Sequence, residues 1–262
     1  MRLARLAICS TILTLTGGSP VFADEPEAKP SFALMDNTGD GTKFNTEVAV
    51  VEVRSLDGSL IVPRILGQYV SAGGLGGYAT AIAGFYTGQS NPDGGIGNLE
   101  LGALYRRAVA PDFDLGIRAG LMVPAGGNAV TVLSLLVARP ADLVLGARDT
   151  TALRLGISPT IHQGPFAARM DFGIDEVLDS PGNTDAILHL NFGVAISGRQ
   201  WSATAEYARV FTLEDSPALQ NIGVSLRYRG TTVSPYLAVS TPLEDELRDD
   251  AITVALGLTL TP

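Results

Sequence analysis

Between Ala251 and Leu260 the side chains alternate without a break. Ile252, Val254, Leu256, Leu258 and Leu260 fall on one parity, and Ala251, Thr253, Ala255, Gly257 and Thr259 on the other. Successive side chains of an extended strand point to opposite faces, so this strand has one aliphatic face and one that is small or polar. A strand of a soluble sandwich would alternate too, but its solvent face would be richer in Lys, Thr and Glu. Lysine occurs only at Lys29 and Lys43. An aliphatic face outward to lipid and a small or polar face inward to a lumen is the signature of a membrane barrel.

The pattern recurs along the chain. Phe113, Leu115, Ile117, Ala119 and Leu121 alternate with Asp114, Gly116, Arg118 and Gly120. The stretches from Phe166, Ala186 and Ile222 repeat it. Strands are expected at 46–54, 60–71, 77–87, 97–108, 113–122, 151–161, 166–174, 185–197, 201–211, 219–229, 232–240 and 250–260. About twelve strands is an even number, as a bacterial barrel with both ends in the periplasm requires. The connections alternate in length. AGGLG (72–76), VAPD (109–112), HQGP (162–165), GRQ (198–200) and GT (230–231) are short, and most of the intervening links are longer. Short periplasmic turns and long outer loops produce that rhythm; the link at 55–59 is shorter than an outer loop should be.

Composition agrees. Mean hydropathy is +0.24 with only 17 % charged residues, yet no apolar run after Ala23 reaches the ~18 residues that a spanning helix needs. A hydropathic exported chain without such helices satisfies its backbone in lipid by closing a barrel. The fold class expected is therefore all-β, a closed antiparallel transmembrane β-barrel of about twelve strands.

Export is expected from the first residues. Arg2 and Arg5 precede an apolar run from Leu6 to about Leu15, and Val21-Phe22-Ala23 is a small-x-small cleavage pattern. Residues 1–23 read as a signal peptide cut after Ala23, residues 24–45 as a periplasmic tail, and 46–262 as an outer-membrane barrel. Removing Arg2 and Arg5 takes the net charge from −9 to −11, which argues against nucleic acid as a partner. Cys9 leaves with the signal, so the remaining chain has no disulfide.

The segment 123–150 stands apart. NAVTVLSLLVA (128–138) places Val130, Leu133 and Val137 on a helical stripe, and Pro140 stops a helix. An extra strand is the other reading. A helix so apolar on an outer loop has to bury itself, so Leu133, Leu136 and Val137 are expected to constrict the barrel mouth.

Four groups of residues bear on function. Asp36, Thr38, Asp40 and Glu47 partly match a calcium loop, although an Asn/Asp/Gly turn is the plainer reading. Glu100, Arg118, Arg154, Arg169, Asp171, His189, Glu206, Arg227 and Arg229 fall on inward faces, with Asp114. They either set ion preference in a channel or fill the lumen with salt bridges. Asp175 and Glu176, with the acidic residues of the later outer loops, read as solvated surface. A hydrolase would need a nucleophile beside a histidine; Ser197 lies about 26 Å along the strand from His189 by the ~3.3 Å rise. No catalytic residue, cofactor site or metal ligand set is read from the sequence.

The segments GNLELGALY (97–105), RLGISP (154–159) and SPYLAVSTPLEDELRD (234–249) followed by ITVALGLTL resemble outer-membrane β-barrel proteins of Gram-negative bacteria, of the porin-like or transporter kind. The resemblance implies outer-membrane lipid and the barrel-assembly machinery as partners, and passage of small solutes. In that family the last strand ends in Phe or Trp; this chain ends Leu260-Thr261-Pro262. A structural or surface-interaction barrel without flux is the alternative, and a lipid hydrolase a third class.

Overall fold

A computed structural model of the chain describes residues 32–33, 41–88, 93–178, 186–212, 218–245 and 247–262. Twelve strands form it: β1 (Lys43–Val53), β2 (Ser59–Val70), β3 (Leu75–Tyr86), β4 (Asp93–Ala110), β5 (Phe113–Val123), β6 (Ala152–Gln163), β7 (Phe166–Val177), β8 (Ala186–Ser197), β9 (Trp201–Thr212), β10 (Leu219–Tyr228), β11 (Val233–Pro242) and β12 (Ala251–Leu260). Each pairs antiparallel with its neighbour in sequence, and β1 pairs with β12 to close the barrel. Closure leaves no strand edge, which is the condition for spanning lipid.

The alternation sorts as expected. Ile252, Val254, Leu256, Leu258 and Leu260 are 36 % to 64 % exposed on the outer wall, while Ala251, Thr253, Ala255 and Thr259 are buried inside. Among the described residues no helix is long and apolar enough to cross a membrane. Trp201 and Tyr228 meet edge to face, 5.2 Å between ring centroids, at the turn end of β9 and β10. Amphipathic aromatics of this kind mark a membrane interface.

Several boundaries differ from the sequence reading, β1, β4 and β7 most clearly, the last running to Val177 rather than 174. Residues 43–45, assigned there to the tail, begin β1: Phe44 pairs with both Leu260 and Gly67. The tail also does not stay wholly outside the wall, because Phe32 and Ala33 are buried in the interior, Phe32 against Ala167 and Ala195. β4 extends beyond the expected 97–108 at both ends. Its Gly94 and Gly95 pair with β3, and glycine runs carry no hydrophobic period by which to read a strand.

The 123–150 segment is inserted into the barrel. It contains α1 (Ala129–Ala138) and then a 3-10 helix, Pro140–Gly146. Gly127, at φ +104°, turns the chain inward, in a conformation that a side chain would strain. Asn128 caps α1, its side-chain oxygen accepting from the Thr131 N–H at 2.9 Å. Pro140 ends α1 as expected but also opens the 3-10 helix, where its missing N–H is harmless. A ten-residue helix with three Val and one Thr is marginal alone, so burial holds it. Leu135, Val137, Ala138, Val144 and Leu145 pack on Ala49, Val51, Val53, Leu60, Val62, Ile82, Ala238 and Ala255 of the inner wall. At roughly 1.5–3 kcal/mol per large side chain, that contact keeps the segment inside.

The wall has a saddle for it. A Cβ on Gly84 would stand 2.9 Å from the Thr131 Cα, one on Gly95 2.9 Å from the Asn128 amide nitrogen, and one on Gly97 2.5 Å from the Leu145 carbonyl oxygen. The register of β3 against β4 shifts between Ala81 and Ala83, beside this saddle. Bulges of this type re-aim a strand locally.

Candidate functional site: a loop folded into the lumen

Below the apolar contact the inserted segment meets charge. Arg139, between the two helices, donates through Nε to Asp142 at 2.8 Å. Its Nη1 donates to Glu47 of β1 at 3.0 Å and to the Ala33 carbonyl at 3.1 Å. Asp142 passes the connection on: Arg154 Nη1 of β6 lies 3.3 Å from it, and Arg64 Nε of β2 3.6 Å. Arg154 holds Asp175 of β7 in a two-point grip at 2.7 and 2.8 Å, and also reaches Glu100 of β4 at 3.2 Å and the Ala141 carbonyl at 2.9 Å. Asp175 in turn contacts His189 Nε2 of β8 at 2.8 Å.

The resulting chain, Glu47–Arg139–Asp142–Arg154–Asp175–His189, runs from β1 to β7 and β8, which stand on opposite sides of the twelve-stranded ring. Every member is buried. Charges out of water are tolerated only when paired and hydrogen-bonded, and here each carboxylate has a guanidinium or imidazole partner. Burial opposes ionisation of Asp142, but Arg139, Arg64 and Arg154 together hold its carboxyl well below the usual carboxylate range. Burial likewise works against the Arg139 charge, and Glu47 and Asp142 overcome it and raise its pKa.

Two tyrosines frame the network. The Tyr78 hydroxyl donates to Glu100 at 2.6 Å, and its ring lies where a Cβ on Gly102 would fall, 2.4 Å from such an atom. The Tyr236 hydroxyl donates to Glu47, and its ring crosses Gly257. Gly102 and Gly257 are thus the floor on which these rings lie.

Eight of the nine residues expected to line the lumen are buried on its inner wall. Glu100, Arg154 and His189 join the network described above. Arg169 pairs with Asp171 at 2.7 Å. Arg227 donates to Thr259 at 2.7 Å and lies over the Tyr236 ring, 4.4 Å from its centroid. Arg118 stands mid-wall on β5. Glu206 accepts from Thr204 and, at 2.8 Å, from the Ala33 N–H. Arg229 is the exception: it lies past the end of β10, bonded to the Gly198 carbonyl across a turn, because the strand ends at Tyr228.

Other expectations are corrected in detail. Leu133 is 39 % exposed and Leu136 only partly buried, so Leu135 and Val137 carry the inward packing. α1 lies against the wall by one face, and Leu133 belongs to the other. Asp175, read as solvated loop, is an inward residue near the end of β7 and fully buried. Glu47, the twelfth position of the calcium-loop match, faces the lumen and is engaged by Arg139 and Tyr236; Asp36, Thr38 and Asp40 lie outside the described residues. Among the described residues no cluster of three or more His, Cys, Asp or Glu is placed to hold a metal. Sequence reasoning also missed Arg64, Arg139 and Asp142. The nearest signal was an arginine directly after an apolar helix and before a proline.

No protein-family model matches the chain, and no curated protein matches it in sequence. Solved structures do match in fold. The NanC porin aligns at TM-score 0.58 and 7 % identity, over 84 % of this chain and all of that one. An outer-membrane channel from Pseudomonas putida F1 aligns at 0.58 and 12 %, over 91 % and 99 %. The KdgM porin aligns at 0.55 and 10 %, over 83 % and 99 %. The chain therefore has the fold of these porins and channels, a closed twelve-stranded antiparallel barrel.

Proposed function

We propose that this chain is a gated outer-membrane channel for small solutes, whose gate is the inserted segment 128–146. The single observation that carries this reading is the position of Arg139, which ties a loop segment to β1 through its ion pair with Glu47 rather than by covalent continuity. A barrel of about twelve strands has an interior wider than wall side chains alone fill, and here the remaining space is taken by a loop. Its apolar face supports a stable closed state, and its polar anchors are groups whose pairing a solute or a change of charge can exchange.

The alternative is a structural barrel without flux. The deep burial of inward residues on all twelve strands favours it, since an open pore would leave them wet. Planar-bilayer recording on the refolded chain separates the two. A channel shows discrete openings whose frequency rises when Arg139 is replaced; a closed structural barrel shows none in either form.

A further inference from the structure

We propose that Arg209 and Gln220 form a docking site on the outer wall for the phosphate headgroup of an outer-leaflet lipid. β9 presents Trp201, Ala203, Ala205, Tyr207, Arg209 and Phe211 outward, and its alternate residues Ser202, Thr204, Glu206, Ala208 and Val210 are buried within. Among the described strand residues only two cations face outward, Arg107 near the turn end of β4 and Arg209 near the loop end of β9. All the others point into the lumen.

A guanidinium on a lipid-facing wall is costly unless it finds an anion or water. Arg209 lies over the Phe211 ring at 5.6 Å, and no carboxylate among the described residues stands within ion-pair distance of it. Its cross-strand neighbours are Leu190 and Gln220. The Gln220 side-chain oxygen is taken by the Tyr207 hydroxyl at 2.7 Å, which leaves the Gln220 amide NH2 to donate. The backbone N–H of Gln220 donates to the Glu244 carboxylate, on the far side of Gln220 from its pairing with β9. The patch thus offers the planar charged fork of Arg209 and the Gln220 amide NH2 side by side on the outer wall. Phosphate oxygens complement such a fork, and the guanidinium matches them better than an ammonium would.

Depth places the patch at a headgroup. Trp201 marks the turn-side interface. Eight residues further along a tilted strand, at ~3.3 Å each, Arg209 sits roughly 20 Å above it, against an apolar band ~25 Å tall. An arginine there keeps its stem in the acyl region and reaches up to the headgroup layer.

The test uses the refolded full chain and bisphosphorylated lipid A, its dephosphorylated form, and inorganic phosphate, with binding followed by native mass spectrometry and by the melting temperature. The bisphosphorylated lipid should bind and raise the melting temperature, and the other two should not. Arg209→Gln should weaken that binding about tenfold, the loss expected for one charge-assisted phosphate contact, while Arg107→Gln should leave it unchanged. If Arg209→Gln fails to fold, Arg209→Lys, which keeps the charge and loses the fork, should bind with intermediate strength. Equal binding of the dephosphorylated lipid, an equal response to free phosphate, or an Arg209 variant that binds as the parent does would overturn the proposal.

Discussion

Arg139 and Glu47 are 92 residues apart in sequence and 3.0 Å apart in the lumen. One belongs to a loop and the other to the wall, so this ion pair is where a movable part is fastened to a fixed one. Removing one member of a buried pair strands the other and costs about 3–5 kcal/mol. Arg139→Ala leaves the twelve strand ladders intact and should lower the stability of the closed state by that order. The expected result is a folded barrel with more frequent openings and faster proteolysis within 128–146. A double-mutant cycle with Glu47→Gln should give a coupling energy above about 1 kcal/mol; additivity would show that the pair does not hold the segment.

The glycine saddle gives a test that leaves charge alone. A valine at Gly97 would bring its Cβ to 2.5 Å of the Leu145 carbonyl oxygen, a backbone atom that moves only if the segment does. Gly97→Val should therefore push the 3-10 helix off the wall, while a valine at the exposed outward position Ala103 should have no effect. Conductance and solvent accessibility at Leu145 are the readouts. A Gly97→Val protein with parental closure would mean that the saddle does not shape the dock.

Acid should act through Asp142, and only at low pH. Its carboxyl is held below the ordinary 3.8 by three arginines. A group whose folded pKa is depressed contributes stability that is present above its unfolded value and is lost as pH falls through its folded value. Asp142 thus stabilises closure fully at neutral and mildly acidic pH, and the loss begins only below about 3.8. Open probability should be flat from pH 8 to 5. Asp142→Asn should show at neutral pH the loosening that the parent shows only in strong acid. A parental opening transition near pH 6 would assign the gate to another group.

Much of the wall was legible because it obeys one local rule. Period-two alternation depends on the nearest neighbours alone, so Ile252 to Leu260 and Phe113 to Leu121 could be read without tertiary knowledge. The helix at 129–138 was legible too, from a run that is apolar in the wrong period for a strand and closed by Pro140. The segment after it was not. Leu143-Val144-Leu145 is too short a run to show any period, and only the saddle decides its shape. The lumen network was half legible. Parity shows that Arg154 faces inward, but nothing local says that it will grip Asp175 of the next strand and lean on a loop. Asp175 itself was misread because it stands at a strand end, where an acidic run usually means solvent.

Residues 32–33 give a further prediction. The Ala33 N–H bonds Glu206 on the wall and its carbonyl bonds Arg139 on the inserted segment, so this dipeptide bridges the two. Glu206→Ala removes one bridge bond and should cost about 1 kcal/mol. Cleavage by a protease beside the Phe32 side chain should then speed up several-fold. Unchanged cleavage would mean that the bridge does not hold the segment in place.

Deleting the inserted segment is the decisive variant, and its limits follow from the helices. A deletion of 127–141 would remove Arg139 and leave Asp142 to Gly146 attached, with Asp142 still facing Arg64 and Arg154 and the saddle still partly filled. Residues 128–146 must go together and be replaced by a short Gly/Ser link. Most of the charges left behind keep partners on the wall: Arg154 keeps Glu100 and Asp175, and Glu47 keeps the Tyr236 hydroxyl, while Arg64 loses Asp142 and stands opposite Glu47 in the β1–β2 register. The strand ladders do not use the deleted residues, so the barrel should still fold and resist heat in detergent. With its filling gone, the lumen should conduct steadily, and small hydrophilic solutes should swell liposomes at a rate that the parent does not reach. A folded deletion protein with parental conductance would end the gated-channel reading and leave a structural barrel.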